Sequence, residues 1–430
     1  MRVNDANDNE KESGRRNFLM GSSVMLLSGL NVFAEEKVAP LTVPTWSSVL
    51  GAECGEHQYG IPVPYEKHVT REYSDSKTAG ADYNAPMNAS NWTLTPLEKL
   101  RGTLTPNGLF FTRAHGGFPD IAPNAHRLVI HGLVKHDIML DMDDIKRFPS
   151  ETKTHFLECS GNSDLMFQNL GSSCTDIHGL VSAAQWTGVK LSTLLKEAGI
   201  DLSKAKYILA EGADSVKMTR TIPISRAMDD CLVVYAQNGE ALRKEQGYPI
   251  RLLVPGCEGN INVKWLRRLE VSDTPFYAKD ETGRYTDLNS HTQKANISTL
   301  VMETKSIITF PSGGQVLKEK GYYQIRGIAW SGRGKVTRVD ISTDGGKNWK
   351  EAKLSGPVLS QNFTEFTLDW NWDGKATQVL SRSQDETGSV QPYFEKMIKA
   401  RTLASSYHIN AIQSWNIATD GKVTNVKNKL

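Results

Sequence analysis

Hydrophobic positions along this 430-residue chain change their spacing repeatedly, and each change marks a boundary. Near the start, Val24-Met25-Leu26-Leu27-Ser28-Gly29-Leu30 forms a short apolar run behind Arg15-Arg16 and ends in the small-residue tail Val32-Phe33-Ala34. The run is shorter than the roughly 20 apolar residues that cross a bilayer, so residues 1–34 read as an export signal rather than an anchor. The double arginine before Phe18-Leu19 resembles a twin-arginine leader, which implies a periplasmic destination for a protein exported folded, with no membrane anchor once the signal is cleaved.

Residues 35–100 carry prolines, asparagines and isolated charges, with little periodicity before Leu97-Glu98-Lys99-Leu100, and predict an extended N-terminal arm. From 101 to 300, apolar strands such as Leu128-Val129-Ile130 and Leu232-Val233-Val234 alternate with short helices. One such helix places Leu191, Leu194, Leu195 and Ala198 three and four apart. That mixture predicts an α+β domain without regular βαβ units. Beyond 300 the period becomes two. Tyr323–Trp330 and Lys335–Ser342 alternate, Asp344-Gly345-Gly346 supplies a turn, and residues 301–430 predict an all-β, immunoglobulin-like sandwich suited to dimerisation.

Charge adds little: 50 basic against 48 acidic residues leave a formal +2, without a basic block that would mark a nucleic-acid partner. The five cysteines, at 54, 159, 174, 231 and 257, form no CxxC pair and no CxxCH haem attachment. Cys159 attracts attention because it ends the apolar segment His155-Phe156-Leu157-Glu158 and opens the turn Ser160-Gly161-Asn162. A thiol so placed can face a cleft and meet a soft metal as thiolate, although most cysteines in such segments are small buried hydrophobes. Further along, Arg113 and His115 follow the aromatic pair Phe110-Phe111, Arg251 leads a strand after Gly247-Tyr248-Pro249, and Lys264 follows the turn at Gly259. Each alone reads as a surface charge. Together they form the charge-assisted donor set that a buried, phosphate-bearing organic cofactor requires.

These segments resemble the sulfite oxidase family of molybdenum enzymes, in particular its sulfane dehydrogenase branch. The resemblance rests on Phe-Phe-Thr-Arg-Ala-His at 110–115, Glu-Cys-Ser-Gly-Asn at 158–162, Ala-Gln-Trp-Thr-Gly-Val at 184–189 and Glu-Gly-Ala-Asp at 211–214. Tyr-Pro-Ile-Arg at 248–251, Val-Lys-Trp-Leu at 263–266, Ala-Trp-Ser-Gly-Arg-Gly at 329–334 and Asp-Gly-Gly-Lys-Asn-Trp at 344–349 extend it. It implies a mixed α/β molybdopterin-binding domain at 101–300 and a molybdenum-molybdopterin cofactor with Cys159 as the protein's metal ligand. His115, Asp214, Arg251, Asn262 and Lys264 would hold the pterin and its phosphate, and Arg113 and Tyr285 would line the substrate side. It further implies a homodimer within a heterotetramer, a c-type cytochrome subunit as electron acceptor, and a sulfur-carrier protein presenting the substrate. Two positions depart from the family pattern: Ser163-Asp164 stands where sulfite oxidases carry a pair of arginines, and Gln246 where a cofactor-binding histidine is expected. The first removes positive charge near the expected anion pocket and favours sulfur presented on a carrier over free sulfite, whose oxidation with cytochrome c as acceptor is the alternative.

Overall fold

A computed structural model describes residues 63–74, 91–288, 296–297, 300–401 and 407–428. The expected leader, most of the arm, and Cys54 lie outside them. Where the arm is described it is not merely extended. Glu72–Ser74 and Asn91–Leu94 pair antiparallel, and Asn91–Leu94 pairs in turn with Thr112–Ala114, the strand that carries Arg113.

Two five-stranded sheets follow. In the first, Glu240–Ala241, Leu232–Gln237, Val181–Lys190 and Ser150–Glu158 lie in that order, with Arg251–Leu253 also paired to Leu232–Gln237. The second runs Ile138–Leu140, Leu128–Gly132, Leu266–Ser272, Tyr207–Gly212 and Thr219–Pro223, with one parallel pair, Leu128–Gly132 against Leu266–Ser272. Their facing sides share a core of Leu128, Ile130, Val189, Ile208, Val233, Leu252 and Leu269, and the helix Leu191–Glu197 buries Leu191, Leu194 and Leu195 in it, as its spacing predicts. This is the α+β domain expected from the mixed pattern.

The C-terminal part is a sandwich of a four-stranded sheet, Lys305–Phe310, Gly321–Trp330, Thr364–Trp372 and Lys353–Ser355, and a five-stranded one. The second sheet orders Lys350–Glu351, Val336–Ser342, Thr377–Asp385, Ser414–Ile417 and Val423–Asn425. Among the described residues its one departure from the all-β expectation is the helix Phe394–Ala400, which buries Phe394 and Met397. Alternation places Ile325, Val339 and Ile341 inside with Trp330, Phe366 and Trp415. The same cluster takes in Phe156, Met166, Val181 and Ala183 from the α+β part, so the two layers share one apolar core rather than meeting across a wet seam. No helix among the described residues is long and apolar enough to cross a membrane.

Candidate active site

A cleft with about 700 Å³ of open space collects side chains from six separate segments. Arg113 and His115 enter from Thr112–Ala114 and the residue after it, Cys159 from the end of Ser150–Glu158, and Asp214 from the turn after Tyr207–Gly212. Arg251 leads Arg251–Leu253, Asn262 and Lys264 follow the 259–261 turn, and Tyr285 comes from the segment beyond Lys279–Thr282. All eight residues singled out from the sequence line this one cleft.

Cys159 is held closely. Its N–H donates to the Leu180 carbonyl at 2.9 Å, and its own carbonyl accepts from Asn162 N–H at 2.9 Å. A Cβ at Gly259 would lie 3.0 Å from the Glu158 carbonyl oxygen and 3.4 Å from the Cys159 Cα, so a side chain there would press on the Cys159 backbone. Burial pushes the Cys159 thiol up, against the opposing pull of the Arg113 guanidinium. Such a thiol ionises readily only when a stronger Lewis acid binds it, which suits a soft metal and not a free nucleophile.

The basic residues sit deeper. Arg251 is 3% exposed; its Nη1 donates to the Gln246 carbonyl at 3.1 Å, its Nη2 to the Asn262 carbonyl at 3.0 Å, and its Nε–H is buried without a partner. Burial pushes it down to about 9. Lys264 donates to the carbonyls of Arg113 and Glu245 at 2.9 and 3.0 Å, and burial together with the Arg251 charge pushes it down to about 7. Two buried cations whose charge is this costly are what a dianionic phosphate stabilises, and an orphaned guanidinium N–H is a donor for it. Asp214, raised by burial, spends one oxygen on the Met218 N–H and faces the same cleft as an acceptor. Gln246, at the position of the expected histidine, donates to the Phe111 carbonyl at 2.8 Å and braces Arg251 from behind. Among the described residues no three His, Cys, Asp or Glu side chains converge as a metal site, so a metal here needs ligands from an organic cofactor beyond Cys159. The residues therefore fit a phosphate-bearing pterin with a metal at the Cys159 end.

Two expectations shift. Asn262 lines the cleft, but its side chain is spent on backbone: Oδ1 accepts from Val254 N–H at 2.7 Å and Nδ2 donates to the Glu258 carbonyl at 2.9 Å. It shapes the loop, and its carbonyl steadies Arg251. Asp164 opens the short helix Asp164–Phe167 and is not among the cleft-lining residues. Burial pushes it up to about 6, and its charge is felt at Cys159, where it raises the thiol further.

Behind the cleft lies a second set of residues that no motif in the sequence marks. Arg220, wholly buried, pairs with Glu258 at 3.0 Å and lies 5.3 Å from the Tyr285 ring centroid. The Tyr407 ring packs tilted against Tyr285, centroids 5.5 Å apart, and His408 Nε2 lies 3.1 Å from Glu258. These contacts join segments distant in the chain, Tyr285 to Tyr407 and Glu258 to His408 among them, and no local spacing announces them.

The chain matches two family profiles: the oxidoreductase molybdopterin binding domain over residues 115–279 and the Mo-co oxidoreductase dimerisation domain over 296–414. It is 32% identical to mitochondrial sulfite oxidase of Mus musculus over 68% of this chain, 35% to that of Homo sapiens over 67%, and 30% to sulfite oxidase of Gallus gallus over 67%. The matched region spans 58% of the mouse protein, 57% of the human one and 68% of the chicken one. Among solved structures it is similar to the sulfane dehydrogenase SoxCD from Paracoccus pantotrophus, with a TM-score of 0.83 and 40% identity over 90% of this chain and 98% of that one.

Proposed function

Since the chain belongs to the sulfite oxidase family of molybdopterin-binding oxidoreductases, we propose that it is the molybdenum subunit of a periplasmic sulfane dehydrogenase, oxidising sulfane sulfur on a carrier protein and passing electrons to a c-type cytochrome. The convergence of Cys159 with Arg113, Arg251 and Lys264 in one cleft carries the reading. When bound, the molybdenum cofactor supplies the two-electron oxidation of sulfur, with oxygen drawn from water.

The protein's own residues divide the remaining work. Arg251 and Lys264 would hold the cofactor phosphate, and Asp214 would accept from a pterin N–H. Cys159 would supply the thiolate to the metal. Arg113, which lies over the Trp92 ring at 5.1 Å, presents its guanidinium to an anionic sulfur substrate. Tyr285, with its phenol held protonated by burial, would donate a hydrogen bond towards the reacting sulfur substrate, with neutral His115 orienting it. The sandwich would form a homodimer within a heterotetramer that includes the cytochrome, and the Arg15-Arg16 leader would deliver the loaded protein to the periplasm. Oxidation of free sulfite with the same acceptor is the alternative, favoured by the identity to sulfite oxidases of two animal classes.

The test is metal and pterin analysis of the protein from its own host, followed by steady-state oxidation of carrier-bound sulfane sulfur and of free sulfite with cytochrome c. One molybdenum per chain and a larger kcat/KM for the carrier-bound substrate are expected. A larger kcat/KM for free sulfite transfers the assignment to a sulfite dehydrogenase, and protein without molybdenum overturns both.

A further inference from the structure

The turn that carries Cys159 is gripped from the sandwich. Lys305 and Trp330 are cross-strand partners in the register of Lys305–Phe310 against Gly321–Trp330, and both point at Glu158. Lys305 Nζ donates to Glu158 Oε1 at 3.0 Å and to Ser163 Oγ at 2.7 Å, while Trp330 Nε1 donates to Glu158 Oε2 at 2.6 Å. Asn162 Nδ2 closes the ring on Glu158 Oε1 at 2.9 Å. The ammonium thus ties the residue before Cys159 to a residue four positions after it, and Ser163 is held at φ 76°, a conformation that non-glycine residues adopt only when their surroundings impose it. The Ser163 hydroxyl, which accepts from Lys305, also lies within hydrogen-bond distance of His178 Nδ1 at 2.7 Å.

We propose that Lys305 is a positioning residue: it fixes the Glu158–Ser163 turn and thereby the direction in which Cys159 Sγ meets the metal. This rests on the reading of Cys159 as the metal ligand. Stability alone does not account for the pair. Lys305 and Glu158 are 1% and 2% exposed, and a buried ion pair of this kind contributes little that well-packed apolar side chains would not. What an apolar pair could not do is clamp both ends of the Glu158–Ser163 turn with directed bonds.

The experiment compares wild-type holoprotein with Lys305→Met, with the charge-neutral double variant Lys305→Met/Glu158→Gln, and with exposed Lys375→Met as control. Molybdenum content, melting temperature, the cysteine-to-metal charge-transfer absorption and the electron paramagnetic resonance of the partly reduced protein are read for each. The single variant leaves Glu158 buried and unpaired and melts lower; the double variant recovers most of that loss. Both show a displaced charge-transfer band and altered resonance. Their kcat falls on the order of tenfold to a hundredfold at little change in KM, because a misdirected ligand disturbs the reacting centre more than substrate capture. A folded, molybdenum-loaded double variant with both spectra superposing on wild type overturns the positioning role and leaves the cofactor assignment standing. Wild-type protein without molybdenum is seen before any variant is made and removes the assignment itself.

Discussion

His115 Nε2 lies 2.7 Å from the Tyr285 hydroxyl, although 170 positions separate the two residues. Arg284 Nη1 lies 3.4 Å from the other ring nitrogen, Nδ1, and a guanidinium can only donate, so Nδ1 carries the lone pair. Burial and the charges of Arg113, Lys264 and Lys279 push His115 down to about 3, so the ring is neutral and its proton sits on Nε2. His115 therefore donates to Tyr285, and the phenol proton is directed away from the imidazole, into the cleft that Tyr285 lines.

Replacing Tyr285 by Phe removes that donor while keeping the ring that packs on Tyr407. The expected loss in kcat/KM is on the order of a hundredfold with molybdenum content unchanged. The pH–rate profile of the wild type should also lack a limb from His115 between about pH 5 and 8, since this ring does not titrate there. Turnover of Tyr285→Phe within about twofold of wild type would confine Tyr285 to packing.

Cys159→Ser exchanges a soft sulfur for a hard, high-pKa oxygen in nearly the same volume. Turnover should vanish while the melting temperature stays close to wild type, because the turn is held by its backbone and by Glu158, not by the thiol. Retention of more than about a tenth of wild-type activity with cofactor loaded would show that Cys159 is not the metal ligand.

For Arg113, substitution by Lys keeps the charge and loses the planar fork. Affinity for an anionic sulfur substrate should drop by roughly tenfold or more, seen in kcat/KM. If Arg113→Lys and Arg113→Ala both match wild type, the guanidinium does not meet the substrate.

Asp164 gives a stability prediction with a definite sign. Burial raises its folded-state value from 3.8 to about 6, so above about pH 6 the folded protein bears the cost of a poorly solvated carboxylate, and that cost is relieved as pH falls from about 6 towards 3.8. Asp164→Asn should therefore melt higher than wild type at pH 8, with the gap closing over that window. Thermal melts of the two proteins taken in parallel decide it, because the acid loss from His115 and His155, both pushed down by burial, cancels in the difference. A gap independent of pH would mean that the carboxyl is well solvated.

Much of this protein was legible before any coordinates. Leucines three and four apart at 191–195 specify a helix with one buried face whatever surrounds it, and Val339 and Ile341, two apart among polar residues, specify a strand with an inward side. The types of residue at 113, 115, 159, 251 and 264 spell out the chemistry, because a soft thiol and several cations have few common ligands. Tertiary structure alone decided which of them touch what. The side chain of Asn262 turned to its own loop, since a buried amide satisfies the nearest backbone groups first. Asp164 went to a helix start outside the cleft lining, which its place five residues after Cys159 does not reveal. Lys305 ended beneath Cys159 because strand register set it beside Trp330 and a core shared by both layers brought that strand against Glu158. Spacing along a chain encodes period and side-chain type; a contact between residues 147 positions apart depends on how whole layers pack, which no local pattern records.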